Sequence, residues 1–422
     1  MGCNLGTKYS VGGTLTGLSG TGLVLQDNLG DNLTLESNGA FVFSQGVKNN
    51  EAYSVTVATQ PSNPTQNCTV RNGTGTIDKA AITHVIVSCT QPGRFAFAAN
   101  QLSNDVSAYA IDSATGELIG VGGSPFAAGT TPVALAVDPN GLYLYVANSG
   151  SNDVSVFSID STTGALTQAA LPAATGSGPD AVVVDPTDSY LYVANLASNS
   201  VSAYSIASGL LTALPDSYTT GSEPASLQID PNGNFLYVTN FGDGTVTVFA
   251  IDTTTGALSE ISGSPFTAGT GAVSIAIDPA GTFAYVADES AKGISEYSLN
   301  ATTGALTPVS GSPLGAGSEP ECLAVDPTGR FVYAANVTAV NQIAAYSITP
   351  TTGALTLSGS PTAAGTLPVS IAIDPSGSFA YVANDNSNDI SVYAVDVTTG
   401  VLTPVALSPF AAGSEPRAIA ID

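Results

Sequence analysis

The residues best placed for chemistry occur at one position of a seven-fold repeat, where short apolar segments begin. That position is apolar in four copies and charged in three; along the chain it reads Val133, Asp180, Ala225, Val273, Glu321, Val369 and Arg417. A guanidinium within reach of carboxylates can hold a substrate carboxylate, or it can form a charge pair at a channel rim. Gln228 is the one amide at another position of these segments, where the other copies have Ala or Val. The predicted ligand-binding residues are Asp180, Gln228, Glu321 and Arg417.

Metal and phosphate chemistry has little support in the residue types. The chain has a single histidine, His84, and no Cys–His zinc cluster, Walker-type phosphate loop or EF-hand calcium loop. The segment 385–389 (Asp-Asn-Ser-Asn-Asp) has oxygen ligands that suit calcium, although its second half recurs elsewhere as an ordinary Asn-Asp turn. We therefore predict no cofactor and keep calcium as the open alternative.

Acidic charge is concentrated in the repeats. The net charge is −25, with −1 in residues 1–92 and −24 in residues 93–422. This step predicts a domain boundary near residues 91–93, and the acidic balance excludes nucleic acid as a partner. Twelve acids are expected on one loop-rich face: Asp105, Asp153, Asp180, Glu223, Asp243, Asp288, Glu289, Glu319, Glu321, Asp385, Asp389 and Glu415. Such a face can attract a cation or a basic partner, or it can simply keep the protein soluble.

The elements that position these residues follow from the repeat. Copies of a Gly-x-Phe-x-Tyr-Val-Ala-Asn segment recur at spacings of 45 to 48 residues, seven times in all. This period predicts a seven-bladed β-propeller of four short strands per blade, and therefore an all-β protein. Each copy has an aromatic residue at two fixed positions, which predicts packing between blades. Because the repeat region begins with a second strand and ends with an innermost one, the C-terminal strand is expected to complete the first blade.

Many of the other acidic residues of the repeats lie in turns. Aspartates precede the Pro-x-Gly turns at six positions, and Asp422 ends the chain at the seventh equivalent. Aspartates at such positions bond nearby backbone amides, so these are predicted to have no function beyond the turn.

The four cysteines have different predicted roles. Cys68 and Cys89 lie in two strand-like runs, and a disulfide between them would stabilise the chain by roughly 3 kcal/mol; two buried thiols are the alternative. Cys322 replaces Ala or Ser in a repeated strand and is expected to be a small buried residue. Cys3 lies in a Met-Gly-Cys start that resembles the lipid-attachment junction of bacterial lipoproteins, with an ordinary thiol as the alternative.

The repeats, including a literal Tyr-Val-Thr-Asn at 237–240, resemble YVTN-type propellers and the related seven-bladed lactonase family. The resemblance covers residues 93–422. Residues 8–90 resemble the small, Ig-like β-sandwich modules that precede propellers in exported bacterial proteins, and residues 1–7 would be a tether. YVTN-type propellers are common in cell-surface proteins, and their lactonase relatives open sugar lactones such as 6-phosphogluconolactone. The fold alone does not choose between these roles.

The lactonase resemblance is incomplete at the expected site. That family has Pro-Arg-His on an innermost strand, whereas this chain has Ala418 after Pro416-Arg417. The Asp288-Glu289 pair resembles the family's Asn-Glu, but the strand before it lacks an arginine. If the protein is an enzyme, the candidate catalytic residues are Arg417, Glu321 and Glu289, with a carboxylate serving as the base.

We therefore expect an exported, non-catalytic binding or structural module at the cell surface, whose acidic face engages a protein or a small ligand. The alternatives are a lactonase-like hydrolase of the 6-phosphogluconolactonase type and a subunit of a self-assembling extracellular array. The sequence has no run of 18 apolar residues, so the only membrane connection expected is a lipid on Cys3.

Overall fold

The computed structural model describes residues 7–18, 20–28, 30–61, 67–90, 94–337 and 341–422. The chain divides into two compact units, Met1–Gly93 and Arg94–Asp422. All regular structure in the described ranges is β-strand. The described part of the chain contains no helix that is long and apolar enough to span a bilayer.

The first unit is built from two four-stranded sheets and a short two-stranded ribbon. Its strands are β1 (Lys8–Tyr9), β2 (Val11–Thr16), β3 (Leu23–Asp27), β4 (Asp31–Leu35), β5 (Gly39–Val42), β6 (Val47–Lys48), β7 (Ala52–Thr59), β8 (Asn67–Arg71), β9 (Thr74–Thr76) and β10 (Ile82–Thr90). The sheet orders are β5-β2-β10-β8 and β4-β3-β7-β9, and β1 pairs with β6. Alternate residues of both sheets share one hydrophobic core, as in a β-sandwich.

A disulfide links the neighbouring strands β8 and β10 of this first unit. Cys68 on β8 lies directly opposite Cys89 on β10, and the two sulfurs are bonded. The predicted disulfide is confirmed. Both cysteines are buried, so the bond also packs as part of the apolar core. Cys3 lies outside the described residues, whereas Cys322 is a free, partly buried thiol.

The second unit consists of seven antiparallel sheets in the described residues. Its strands are β11 (Phe95–Asn100), β12 (Asp105–Ile111), β13 (Leu118–Gly120), β14 (Phe126–Ala127), β15 (Pro132–Val137), β16 (Tyr143–Asn148), β17 (Asp153–Ile159), β18 (Leu166–Gln168), β19 (Ala173–Ala174), β20 (Pro179–Val184), β21 (Tyr190–Asn195), β22 (Ser200–Ala207), β23 (Leu210–Thr219), β24 (Pro224–Ile229), β25 (Phe235–Asn240), β26 (Thr245–Ile251), β27 (Leu258–Glu260), β28 (Phe266–Thr267), β29 (Ala272–Ile277), β30 (Phe283–Asp288), β31 (Gly293–Leu299), β32 (Leu306–Pro308), β33 (Leu314–Gly315), β34 (Pro320–Val325), β35 (Phe331–Asn336), β36 (Gln342–Ile348), β37 (Leu355–Leu357), β38 (Thr362–Ala363), β39 (Pro368–Ile373), β40 (Phe379–Asn384), β41 (Asp389–Val395), β42 (Leu402–Pro404), β43 (Phe410–Ala411) and β44 (Pro416–Ile421). Each sheet is one blade of the predicted propeller.

Each blade runs from an innermost strand outward. In the second blade the order is β15-β16-β17-β18, and the short β19 also pairs with β17. The innermost strands β15, β20, β24, β29, β34, β39 and β44 contact one another in that order, and β44 contacts β15. The ring is closed because β44 pairs with β11, so the last strand of the chain supplies the innermost strand of the first blade.

The blades pack through the repeated aromatic residues. Tyr192 is fully buried in the second strand of its blade, and its hydroxyl donates a 2.9 Å hydrogen bond to the carbonyl of Gly256 in the next blade. Gly256 has a φ of +73°, and a Cβ there would lie 2.2 Å from the ring of Tyr190. The turn therefore requires glycine so that neighbouring blades can approach.

Candidate functional site

The charged repeat position is a β-bulge in every blade. In the first blade Ala418 pairs with Ala99 and Pro416 pairs with Asn100, so Arg417 is the extra residue of its strand. The same register shift occurs at Asp180 and Glu321, and at the four apolar equivalents. Bulges redirect side chains at strand ends and are common beside active sites. All seven residues therefore lie at the loop-rich end of the inner strands, where the central channel opens.

Arg417 meets two carboxylates, that of Glu321 across the neighbouring inner strand β39 and that of Asp385 just after β40 in the adjacent blade. Its Nη2 lies 3.5 Å from Oε1 of Glu321, and its Nη1 lies 3.9 Å from Oδ2 of Asp385. The Arg417 side chain is 34% exposed, whereas those of Glu321 and Asp385 are 15% and 11% exposed. Val369 occupies the same position on the intervening strand β39 and is buried. Both terminal nitrogens of the guanidinium are therefore paired with carboxylates, while about a third of the side chain stays exposed.

Two further carboxyl groups lie within electrostatic range of the same guanidinium. Burial raises the pKa of Glu289, and Arg417 opposes that shift. Burial raises the pKa of Asp180 to about 6, again against the attraction of Arg417. Burial likewise raises the pKa values of Glu321 and Asp385. We call these residues the Arg417 cluster; its members are Asp180, Glu289, Glu321, Asp385 and Arg417.

Asp180 differs from the two acids of this cluster that Arg417 holds. No described residue donates a hydrogen bond to its carboxylate or pairs with it directly, whereas Glu321 and Asp385 are held by Arg417. A carboxylate with a pKa near 6 and no fixed donor is ionised at neutral pH and is a better proton acceptor than an ordinary aspartate. The cluster thus combines a held guanidinium with a free carboxylate.

Four of the five members of this cluster were predicted from the sequence as site residues, and one was not. Arg417, Glu321 and Asp180 are brought together as ring order predicts, and Glu289 lies close enough to interact with Arg417. Asp385 was counted only as a loop acid, because its approach to Arg417 depends on the path of β40 in the adjacent blade. Gln228 lies on inner strand β24, and its amide bonds the carbonyl of Ile229 at 3.5 Å. No described contact joins Gln228 to the cluster.

The prediction that Asp288 lies on the acidic face is wrong. Its side chain is fully buried, accepting a 2.6 Å hydrogen bond from the Ser295 hydroxyl and a 2.9 Å bond from the Gly269 amide. The six other blades have Asn here. In three of them this Asn donates to an acid five residues later, and the Asp288 blade has Gly293 at that later position. Asp288 is therefore a structural replacement for that asparagine.

The calcium alternative gains no support from the loop 385–389. Ser387 Oγ accepts a hydrogen bond from the Thr366 amide, Asn388 Oδ1 accepts one from the Glu415 amide, and Asp389 Oδ1 accepts one from Asn384. The described residues contain no group of three or more His, Cys, Asp or Glu side chains arranged to hold a metal ion. Side-chain oxygens of three of the five residues in this loop therefore already accept hydrogen bonds from the protein.

These features define a seven-bladed β-propeller with a charged cluster at its channel mouth. The chain matches the family model described as "Lactonase, 7-bladed beta-propeller" over residues 51–180, 169–270 and 262–419. It belongs to this family. The match and the fold confirm the resemblance seen in the repeats.

Solved structures show the same fold. A Bacteroides fragilis protein proposed to be a 6-phosphogluconolactonase is 21% identical, with a TM-score of 0.71 over 79% of this chain and 99% of that one. The periplasmic gluconolactonase PpgL of Pseudomonas aeruginosa is 21% identical, with a TM-score of 0.68 over 78% and 98%. A Lactobacillus plantarum protein is 24% identical, with a TM-score of 0.66 over 78% and 99%. Comparison with curated protein sequences gives no match.

Proposed function

We propose that this protein is a hydrolase that opens sugar lactones at the Arg417 cluster. The observation that carries the proposal is a guanidinium held by Glu321 and Asp385 at the same end of the ring of inner strands as the carboxylate of Asp180, which no described residue holds. Membership of the lactonase family supports this alternative better than the non-catalytic binding module that the sequence favoured.

Each group has a defined task in this reaction. Asp180 takes a proton from water while the water oxygen attacks the lactone carbonyl carbon. The carbonyl oxygen becomes an oxyanion, which the Arg417 guanidinium stabilises. The carbon–oxygen bond of the ring then breaks, and the ring oxygen takes the proton from Asp180 to become a hydroxyl. Glu321 and Asp385 are positioning residues, because they hold the guanidinium rather than contact the substrate.

The test is acid release from a panel of sugar lactones, followed in a pH-stat and corrected for spontaneous hydrolysis. Arg417→Ala should lower kcat/KM by about 100-fold, the usual effect of losing an oxyanion donor. Asp180→Asn should lower kcat by a similar factor, since a general base typically contributes about 100-fold or more. Glu223→Gln is a matched control, because Glu223 is an exposed acid of the same loop-rich end, outside the cluster.

Two results would remove the proposal. If the wild-type protein opens no lactone in the panel, the binding module becomes the better interpretation. If Asp180→Asn and Arg417→Ala both retain full turnover, the reaction takes place elsewhere. Electron microscopy of concentrated protein separately tests self-assembly, which predicts ordered arrays in place of dispersed particles.

We also infer that the protein works outside the cytoplasm. The buried Cys68–Cys89 disulfide supports this location, since such bonds persist mainly in oxidising compartments. Attachment to a surface through Cys3 is a further step of the same proposal. Fractionation of the source cells tests the location, and labelling with a radioactive fatty acid, with Cys3→Ser as the control, tests the lipid.

A further inference from the structure

Resting on the proposed function, we infer that the substrate is a neutral, unphosphorylated sugar lactone, and that the mouth discriminates against phosphorylated ones. The inference concerns charge at the Arg417 cluster and the positions of the few basic residues of the propeller. A phosphate group needs cationic side chains or clustered amides that are free to meet it.

The propeller has only four basic residues, and two of them lie at the end of the strands opposite to the Arg417 cluster. From residue 93 onward they are Arg94, Lys292, Arg330 and Arg417. Arg94 directly precedes β11, and its Nη1 lies 3.0 Å from Asp374. Arg330 directly precedes β35 and bonds Thr328 Oγ1 and the carbonyl of Val397. The register places both at the end of the strands opposite to Arg417.

The two basic residues at the mouth are already paired. Lys292 Nζ lies 2.9 Å from Oε1 of Glu319, and Arg417 is shared by Glu321 and Asp385. Asp180 and Glu289 add two more carboxyl groups within range of Arg417. When ionised, the cluster therefore has four negative charges against one positive charge. A phosphate dianion would enter a net negative site and would have to displace a carboxylate from its cation.

A neutral lactone is not repelled by the net negative charge of the cluster and does not need to displace a carboxylate from its cation. Its sugar hydroxyls can donate hydrogen bonds to carboxylate oxygens, which act only as acceptors when ionised. Charge builds up only on the carbonyl oxygen during attack, where the single guanidinium suffices. The carboxylates of the cluster that do not hold Arg417 can thus bind the sugar, while all four carboxylates repel a phosphate.

The experiment compares glucono-1,5-lactone with its 6-phosphate on the full-length protein. We expect kcat/KM to be at least about tenfold higher for the neutral lactone, equivalent to about 1.4 kcal/mol. Raising the ionic strength from about 0.01 M to about 1 M shortens the Debye length from about 30 Å to about 3 Å. The preference for the neutral lactone should therefore become smaller at high salt, because kcat/KM for the phosphorylated lactone should rise.

A charge variant sharpens the comparison. Glu319→Gln releases Lys292 and also removes a negative charge that raises the pKa of Glu289. It should raise kcat/KM for the phosphorylated lactone by roughly threefold, the scale of an exposed charge pair. The neutral lactone should be unaffected. Glu260→Gln, which removes an exposed acid from the outer strand β27, should change neither substrate.

The outcomes separate this inference from the proposed function. Hydrolysis of the phosphorylated lactone as fast as the neutral one, or faster, overturns the inference and leaves the hydrolase intact. Hydrolysis of neither lactone overturns the hydrolase and the inference together. A preference for the neutral lactone that salt does not alter also counts against the inference, because shape rather than charge would then select the substrate.

Discussion

The two ends of the inner strands use acidic residues in opposite ways. At the turn end, Asp278 Oδ1 accepts hydrogen bonds from the Thr282 and Phe283 amides at 2.6 and 2.7 Å. The same pattern recurs in the blades of Asp138, Asp185, Asp230, Asp326 and Asp374. At the mouth, burial raises the pKa values of Asp180 and Glu321, and no backbone amide of the described residues offsets it.

The difference separates acids that shape the backbone from acids that lie at the mouth without a backbone partner. A carboxylate that recurs in every blade satisfies turn amides, which every blade must do. A carboxylate that replaces an apolar residue in one blade has no such partner and costs stability through burial. The last strand shows both kinds, with Arg417 at the mouth and Asp422 accepting the Phe95 amide at 2.6 Å.

Deletion of residues 417–422 should have the largest effect on folding. It removes the innermost strand of the first blade, leaving β11 with an open edge and the ring unclosed. We expect the apparent Tm of the propeller to fall by at least about 10 °C, as for a loss of several kcal/mol in a domain of this size. Differential scanning calorimetry measures it. A cooperative transition at the wild-type temperature would contradict closure by β44.

Asp278→Ala should have a smaller effect, confined to stability. One buried and one partly buried amide lose their acceptor, which costs about 2 to 4 kcal/mol in the free energy of unfolding. Because Asp278 lies far from the mouth along the strand, kcat/KM on a lactone should not change. Urea denaturation and pH-stat assays check the two expectations, with Glu260→Ala as the exposed control. A loss of activity with unchanged stability would erase the distinction between the two ends.

Asp180→Asn should have the smallest effect on stability, with the opposite sign. The pKa of Asp180 is about 6 in the folded protein, against an ordinary 3.8, so the folded state holds its proton more tightly than the unfolded state. Its contribution to stability therefore falls as the pH rises from about 4 to 6, and the cost is complete above that range. The variant should exceed the wild type at pH 8 by on the order of 1 to 3 kcal/mol.

Thermal melts of Asp180→Asn at pH 4 and pH 8 provide the measurement. The advantage of the variant should almost vanish at pH 4, where the wild-type carboxyl is protonated in the folded state. A variant that is less stable than the wild type at pH 8 would show that the carboxylate is held by the fold, as at the turn end.

Much of the architecture could be predicted from the repeat. Seven copies predicted seven blades, the aromatic rows predicted packing between blades, and the incomplete first and last copies predicted pairing of β44 with β11. The Cys68–Cys89 disulfide followed from two strand-like runs. These features depend on local pattern and count, which a sequence contains in full.

The site was less predictable, because its contacts cross blades. Ring order brought Arg417 near Glu321, but the approach of Asp385 depends on the position of β40 in the adjacent blade. Asp288 was predicted to be an acid of the loop-rich face, whereas this strand-end position is fully buried in all seven blades, and Ser295 donates to the carboxylate there.

By itself, the sequence determined the number of blades, the turn chemistry and which copies depart from the apolar pattern. Only the tertiary structure decided which of the departing residues meet, and with what charge state. Arg417 and Glu321 are 96 residues apart in the chain, yet their side chains lie 3.5 Å apart. The bulge directs them to one mouth, and burial there raises the pKa of Asp180 to about 6. The short distance between Arg417 and Glu321 and the burial of Asp180 both depend on ring closure. The curvature of the seven packed sheets sets how far apart the ends of the inner strands lie and how much solvent reaches them.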